Sequence, residues 1–93
     1  MLQAILFDAD SFQGNHHHVF QFADLSGTGF ENKTSSIVVL EGTWQFYKSR
    51  DKASPFTDGS GNPVQLQANN KYTSIQLTAY GIDGTKLISL GPA

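Results

Sequence analysis

Cysteine is missing from the chain altogether. Its absence excludes a disulfide framework and any thiolate metal site, and is compatible with every redox compartment. Positive charge is scarce. Six Lys and Arg against eight Asp and Glu leave a net charge of −2, spread along the chain without a basic cluster. No stripe of Lys and Arg could track a phosphate backbone, so nucleic acid is not an expected partner. Long apolar runs are lacking too. No segment approaches the ~20 apolar residues of a membrane-spanning helix, and no membrane partner is expected. The N-terminal Met1-Leu2-Gln3-Ala4 has neither the basic region nor the apolar run of a signal peptide, which favours a cytoplasmic location. Apolar residues never recur at helical spacing, so a helix of any length is not expected.

What remains describes a small β domain. The 93 residues make one domain. A chain of this size buries somewhat over ~60% of its unfolded surface, so a bound ion would matter to its stability. Apolar content of 39%, with seven Phe, is enough for a core, and a charged content of 15% argues against disorder. Nine Gly and clusters of Thr, Ser and Asn suggest strands joined by turns.

Gln3 to Phe7 reads as a first strand, and Asp8-Ala9-Asp10-Ser11 as a turn closed by Phe12-Gln13-Gly14. Asn15 to Phe22 reads as a second strand, with His16, His18, Phe20 and Phe22 on one face. Asp24 to Gly29 is a loop, and Thr34 to Leu40 a strand with a nearly continuous apolar run. After Glu41-Gly42, Trp44 to Tyr47 opens a second half. Lys48 to Gly61 is a long loop with a short strand at Pro55 to Thr57. Pro63 to Gln67 and Thr73 to Tyr80 are further strands, the latter matching the earlier apolar strand. Asp83-Gly84 signals a hairpin turn, and Thr85 to Leu90 a last strand. Two halves of similar pattern point to a sandwich of Greek keys, since neither half can cover its own apolar face.

One stretch recurs. Glu31-Asn32-Lys33-Thr34-Ser35-Ser36 precedes Ile37, and Asn69-Asn70-Lys71-Tyr72-Thr73-Ser74 precedes Ile75, 38 residues later. Each copy is a polar bend carrying an amide, a carbonyl and a hydroxyl. Hard cations such as Ca²⁺ take oxygen ligands of these kinds, so the two loops read as quasi-equivalent Ca²⁺ sites. The plain alternative is that these residues merely stabilise turns.

Taken together these features resemble the βγ-crystallin superfamily in its single-domain microbial and fungal form. Phe7-Asp8-Ala9-Asp10-Ser11-Phe12-Gln13-Gly14 matches the signature of an aromatic, four residues, an aromatic, one residue and Gly. Residues 69–74 match its calcium motif of two Asn/Asp, two variable residues, Ser/Thr and Ser. Residues 31–36 match except for Glu31 at the first place. The resemblance runs over roughly residues 3 to 79. It implies an all-β sandwich of two Greek keys, the first about 1–41 and the second about 42–80, with a C-terminal extension at 81–93. The second half lacks an aromatic-x-Gly corner after Tyr47.

The resemblance also implies a ligand set for two ions shared between the halves. Asp8, Lys48, Lys33 and Lys71 would contribute backbone carbonyls. Asn32 and Asn70 would contribute side-chain oxygens, Ser35 and Thr73 hydroxyls, with Glu31 and Asn69 as secondary residues. Neutral oxygens compete poorly with water, so weak sites of about 10⁻⁵ to 10⁻³ M are expected, with Ca²⁺ stabilising the fold.

His16 and His18 share a strand face and could hold a transition metal between two imidazoles, although two ligands bind weakly without a third. No nucleophile elbow surrounds any Ser, and no Gly-rich phosphate loop is present, so catalysis is not expected. The resulting expectation is a calcium-binding structural or stress- and development-related protein, monomeric or weakly dimeric. The alternative is an interaction module such as the proteinase inhibitors and killer-toxin-like proteins of the same fold. Fold alone does not decide between them.

Overall fold

A computed structural model describes residues 2–68 and 72–93. The loop residues Asn69, Asn70 and Lys71, expected as part of a second calcium loop, lie outside the described residues.

Among the described residues eight strands form two four-stranded antiparallel sheets. They are β1 (Gln3–Ala9), β2 (Gln13–Val19), β3 (Ala23–Asp24), β4 (Ser36–Glu41), β5 (Thr43–Tyr47), β6 (Gln65–Gln67), β7 (Thr73–Gln76) and β8 (Ser89–Pro92). The first sheet has the order β2-β1-β4-β7 and the second β3-β8-β5-β6. Each half of the chain therefore places three strands in one sheet and sends its third strand to the other. Among the described residues the only helices are 3₁₀ turns, at Asp10–Phe12, Leu77–Tyr80 and Gly84–Lys86. None is long and apolar enough to cross a membrane.

Alternation builds the core. In β1, Ala4 and Leu6 are fully buried while Ile5 and Phe7 face outward, half-covered. In β4, Ile37 and Val39 point inward, and from the opposite sheet come Trp44, Phe46, Leu66 and Leu90. Period-2 side chains on two facing sheets must meet in this way for either apolar face to leave water. Leu25, Leu77, Ile82 and Leu87, all fully buried, close the two ends.

The corner expected at Phe12-Gln13-Gly14 is present. The Phe7 and Phe12 rings meet edge to face at 6.0 Å. Gly14 has φ +81°, and a Cβ there would lie 2.1 Å from Asp8 Oδ1. Only glycine tolerates both conditions.

Three expectations are corrected. Residues 81–93 are not an extension, because β8 lies inside the second sheet, paired with β3 on one side and β5 on the other. Thr73 to Tyr80 is not a single strand matching β4. The strand ends at Gln76, and Leu77 to Tyr80 turns away as a 3₁₀ helix closed by Gly81 at φ +74°. Asp83-Gly84 is not a hairpin turn but the start of a 3₁₀ turn, with the Asp83 side chain accepting from the Thr85 N–H.

Candidate metal site

The two halves are related by matched hydrogen bonds. Ser35 N–H donates to the Phe7 carbonyl at 2.8 Å, and Ile88 N–H to the Tyr47 carbonyl at 3.0 Å. Leu77 N–H donates to the Ser35 carbonyl and Leu25 N–H to the Ile88 carbonyl, both at 3.0 Å. Ser36 Oγ donates to the Ala9 carbonyl at 2.8 Å, and Ser89 Oγ to the Ser49 carbonyl at 2.6 Å. So β8 is the counterpart of β4, and residues 84–89 are the counterpart of 31–36. The 38-residue sequence repeat does not coincide with this structural repeat. The true second copy, Gly84-Thr85-Lys86-Leu87-Ile88-Ser89, has lost both leading acid or amide residues and the hydroxyl at its fifth place.

At one end of the sandwich the bend at 30–35 meets the turn at 83–85. Asn32 sits at φ +63°, a conformation asparagine tolerates better than most residues. Its N–H donates to the Leu87 carbonyl at 3.1 Å, and Lys33 N–H donates to the Phe30 carbonyl at 3.1 Å. Opposite, Asp83 Oδ1 accepts from Thr85 N–H at 3.0 Å and from Thr85 Oγ1 at 2.7 Å. The hydroxyl bond first, then the backbone N–H, holds the Asp83 carboxyl below its ordinary 3.8. The loops touch at Gly84, where a Cβ would lie 1.6 Å from the Thr34 carbonyl oxygen.

Between them lies a cleft of about 150 Å³. Oxygen-bearing side chains line it: Asp10 from the β1–β2 turn, Asn32 and Ser35 from the first loop, and Thr78, Asp83 and Thr85 from the second half. Lys33 also lines it. The two carboxylates, the amide oxygen and the hydroxyls beside Lys33 are donors that suit a hard, geometrically tolerant cation better than a sulfur-seeking metal. On β7, in register with Ser36, Gln76 keeps Oε1 buried without a hydrogen-bond partner among the described residues, a lone pair that a water would satisfy.

The sequence-derived residues are thus only partly assembled. Asn32, Lys33 and Ser35 line the cleft. Asp8, expected to offer its backbone carbonyl, is not among the residues that line the cleft; its carboxylate accepts from Asn15 N–H at 2.9 Å and Nδ2 at 3.1 Å. Glu31 is turned away and pairs with Arg50. Lys48, likewise expected to offer a backbone carbonyl, lies in the second half and is not among the residues that line this cleft; its ammonium lies 5.4 Å from the Phe56 ring centre. Thr73 pairs with Val39, three rungs along the ladder from Ser36 and Gln76, and donates its hydroxyl to the Gln67 carbonyl at 3.2 Å. At ~3.3 Å per residue that is about 10 Å from the cleft end of the strand. Asp10, Thr78, Asp83 and Thr85 were missed by sequence reasoning. Their only signal is topological, because β8 must first be recognised as the counterpart of β4 in the other sheet.

His16 and His18 are both exposed on β2, an edge strand. His18 Nε2 is 3.0 Å from Gln3 Oε1, and its ring stacks on Phe20 at 4.4 Å. Among the described residues no group of three or more His, Cys, Asp or Glu is placed to hold a metal ion. The histidine pair thus lacks a third ligand of those types.

Fold and site together define a two-Greek-key β-sandwich domain with a cleft, lined in part by carboxylate, amide and hydroxyl side chains, where its halves meet. The beta/gamma crystallin family model matches residues 3–54. The chain belongs to that family. It is similar in structure to a beta gamma crystallin from Ciona intestinalis, with TM-score 0.72 and 23% identity over 98% of this chain and 99% of that one. A betagamma-crystallin from an archaeon gives 0.71 and 20% over 99% and 98%. Spherulin 3A from Physarum polycephalum gives 0.60 and 21% over 96% and 80%. No curated protein matches the chain in sequence.

Proposed function

We propose that the chain is a non-enzymatic calcium-binding domain that takes Ca²⁺ in the cleft between Asn32 and Asp83. The observation that carries this reading is the convergence of Asp10, Asn32, Ser35, Thr78, Asp83 and Thr85, all oxygen-bearing, from three separate segments on one cleft. The motif at residues 31–36 adds support. Asp10 and Asp83 would supply charge, and Asn32 and Ser35 neutral oxygen. With only two carboxylates the affinity falls at the weak end of protein Ca²⁺ sites, about 10⁻⁵ to 10⁻³ M.

An ion there would tie the first-half loop to the second-half turn, so its binding free energy adds to that of the fold. At ten times Kd the gain is about 1.4 kcal/mol, or roughly 5–10 °C in Tm for a domain of this size. Such a domain serves a structural or stress-protective role, gaining stability as Ca²⁺ rises. Calorimetric titration with Ca²⁺, paired with thermal melts, tests it. Weak saturable heat and a rising Tm are expected; neither effect at millimolar Ca²⁺ would overturn the reading.

A further inference from the structure

The relation between the halves extends beyond the hydrogen bonds that define it. Phe7 maps onto Tyr47 and Ala9 onto Ser49, so the next residue, Asp10, maps onto Arg50. Ser35 maps onto Ile88, hence Gly84 onto Glu31, and Leu77 onto Leu25, hence Gln76 onto Asp24. The calcium cleft therefore has an image at the other corner of the sandwich, built with different chemistry. Where the cleft has Asp10, the image has Arg50. Where the cleft has the small Gly84, the image has the carboxylate Glu31, and where Gln76 precedes the cleft-lining Leu77, the image has the carboxylate Asp24. Where it has the Ser35 hydroxyl, the image has the hydrocarbon of Ile88.

These exchanges are mutually consistent. The Arg50 guanidinium hydrogen-bonds Glu31 through Nη2, and its Nε lies 3.4 Å from Asp24 Oδ2. One cation from the second half bridges two carboxylates from the first.

We propose that Arg50 is a built-in cation that occupies the second cradle in place of a metal ion, so that the chain takes one Ca²⁺ and not two. This rests on the calcium reading of the first cleft. A guanidinium stays charged at any physiological pH, and its fork of donors suits bridging between carboxylates. A divalent ion arriving at this corner meets that charge and finds both acids already engaged. Ile88 withholds the hydroxyl that the first cleft offers through Ser35. The Arg50 side chain is 52% exposed, so solvent screens the pair and its contribution to stability is small. The consequence appears in stoichiometry instead.

The test is calorimetric Ca²⁺ titration of the intact chain, its R50K variant and the double variant R50D/I88S, which copies Asp10 and Ser35 of the first cleft. One ion for the wild type and R50K, and two for R50D/I88S, are the expected results. Two ions on the wild type overturn the proposal. So does a double variant that keeps its far-ultraviolet spectrum and still binds no more than the wild type. Should the double variant not fold, R50Q decides: it gains a second, weaker ion, and unchanged stoichiometry overturns the proposal. A wild type that binds no ion beside a double variant that binds one supports the role of Arg50 while removing the first-cleft reading. No binding by either removes both.

Discussion

Ser36 Oγ donates to the Ala9 carbonyl at 2.8 Å and accepts from the Phe12 N–H at 3.1 Å, tying the start of β4 to the turn that ends β1. Ser36 is fully buried. Ser36→Ala strips both part-buried partners of a hydrogen bond. A loss of about 1–3 kcal/mol follows. Denaturant unfolding would show a lower midpoint at unchanged slope.

Leu90 is fully buried and sits in β8 opposite both Ala23 and Phe46. Leu90→Ala leaves a cavity between the sheets and costs about 2–5 kcal/mol. A thermal melt should fall by roughly 10 °C or more. A change of only a degree or two would mean that this segment does not belong to the core.

Asn32→Ala and Asp10→Asn each remove a cleft oxygen or its charge and should raise the calcium Kd about tenfold, equivalent to about 1.4 kcal/mol. Thr73→Ala should leave it unchanged, because that hydroxyl is committed to Gln67 at another level of the sandwich. Calorimetric titration of the three variants separates the structural arrangement from the linear sequence repeat, which favours Thr73.

The hydrogen bonds from Thr85 hold Asp83 below 3.8 in the folded chain. The unfolded chain therefore binds more protons in that interval. The contribution is complete above 3.8 and is lost as pH falls through the folded value. Asp24, held down chiefly by the Ser26 N–H, and Asp51, chiefly by the Ala53 N–H, act in the same direction. In chelator, Tm should decline with acidity below 3.8, and Asp83→Asn should flatten part of that slope.

Strong alternation made much of the sandwich legible. β1, β4 and β5 carry Leu6, Ile37, Val39, Trp44 and Phe46 at period 2, and were placed within a few residues. The Gly14 corner was legible because its geometry admits no other residue. β3 was not, since two residues in an Asp-Ser-Gly setting look like loop. β8 was misplaced because Gly91 and Pro92 are poor strand formers, acceptable here at the end of a ladder supported by neighbours. The site was half legible. Asn32 and Ser35 announce themselves in a bend, but Asp10 and Asp83 reach the same cleft only through the exchange of strands between sheets. The repeat at 69–74 does not follow the hydrogen-bond relation between the halves, because local similarity of Asn, Lys and Ser says nothing about which strand follows; its Asn69, Asn70 and Lys71 lie outside the described residues.

The crossing of β3 and β7 into opposite layers sets a kinetic consequence. Ala23 pairs with Leu90 and Val39 with Thr73, so neither layer can zip up from sequence neighbours alone. Closure of long loops must precede the reward of pairing, which places folding in the slow, millisecond-to-second regime of β topologies. Until that closure, β4 presents a bare ladder to any passing chain, and the most obliging partner is the β7 of another copy.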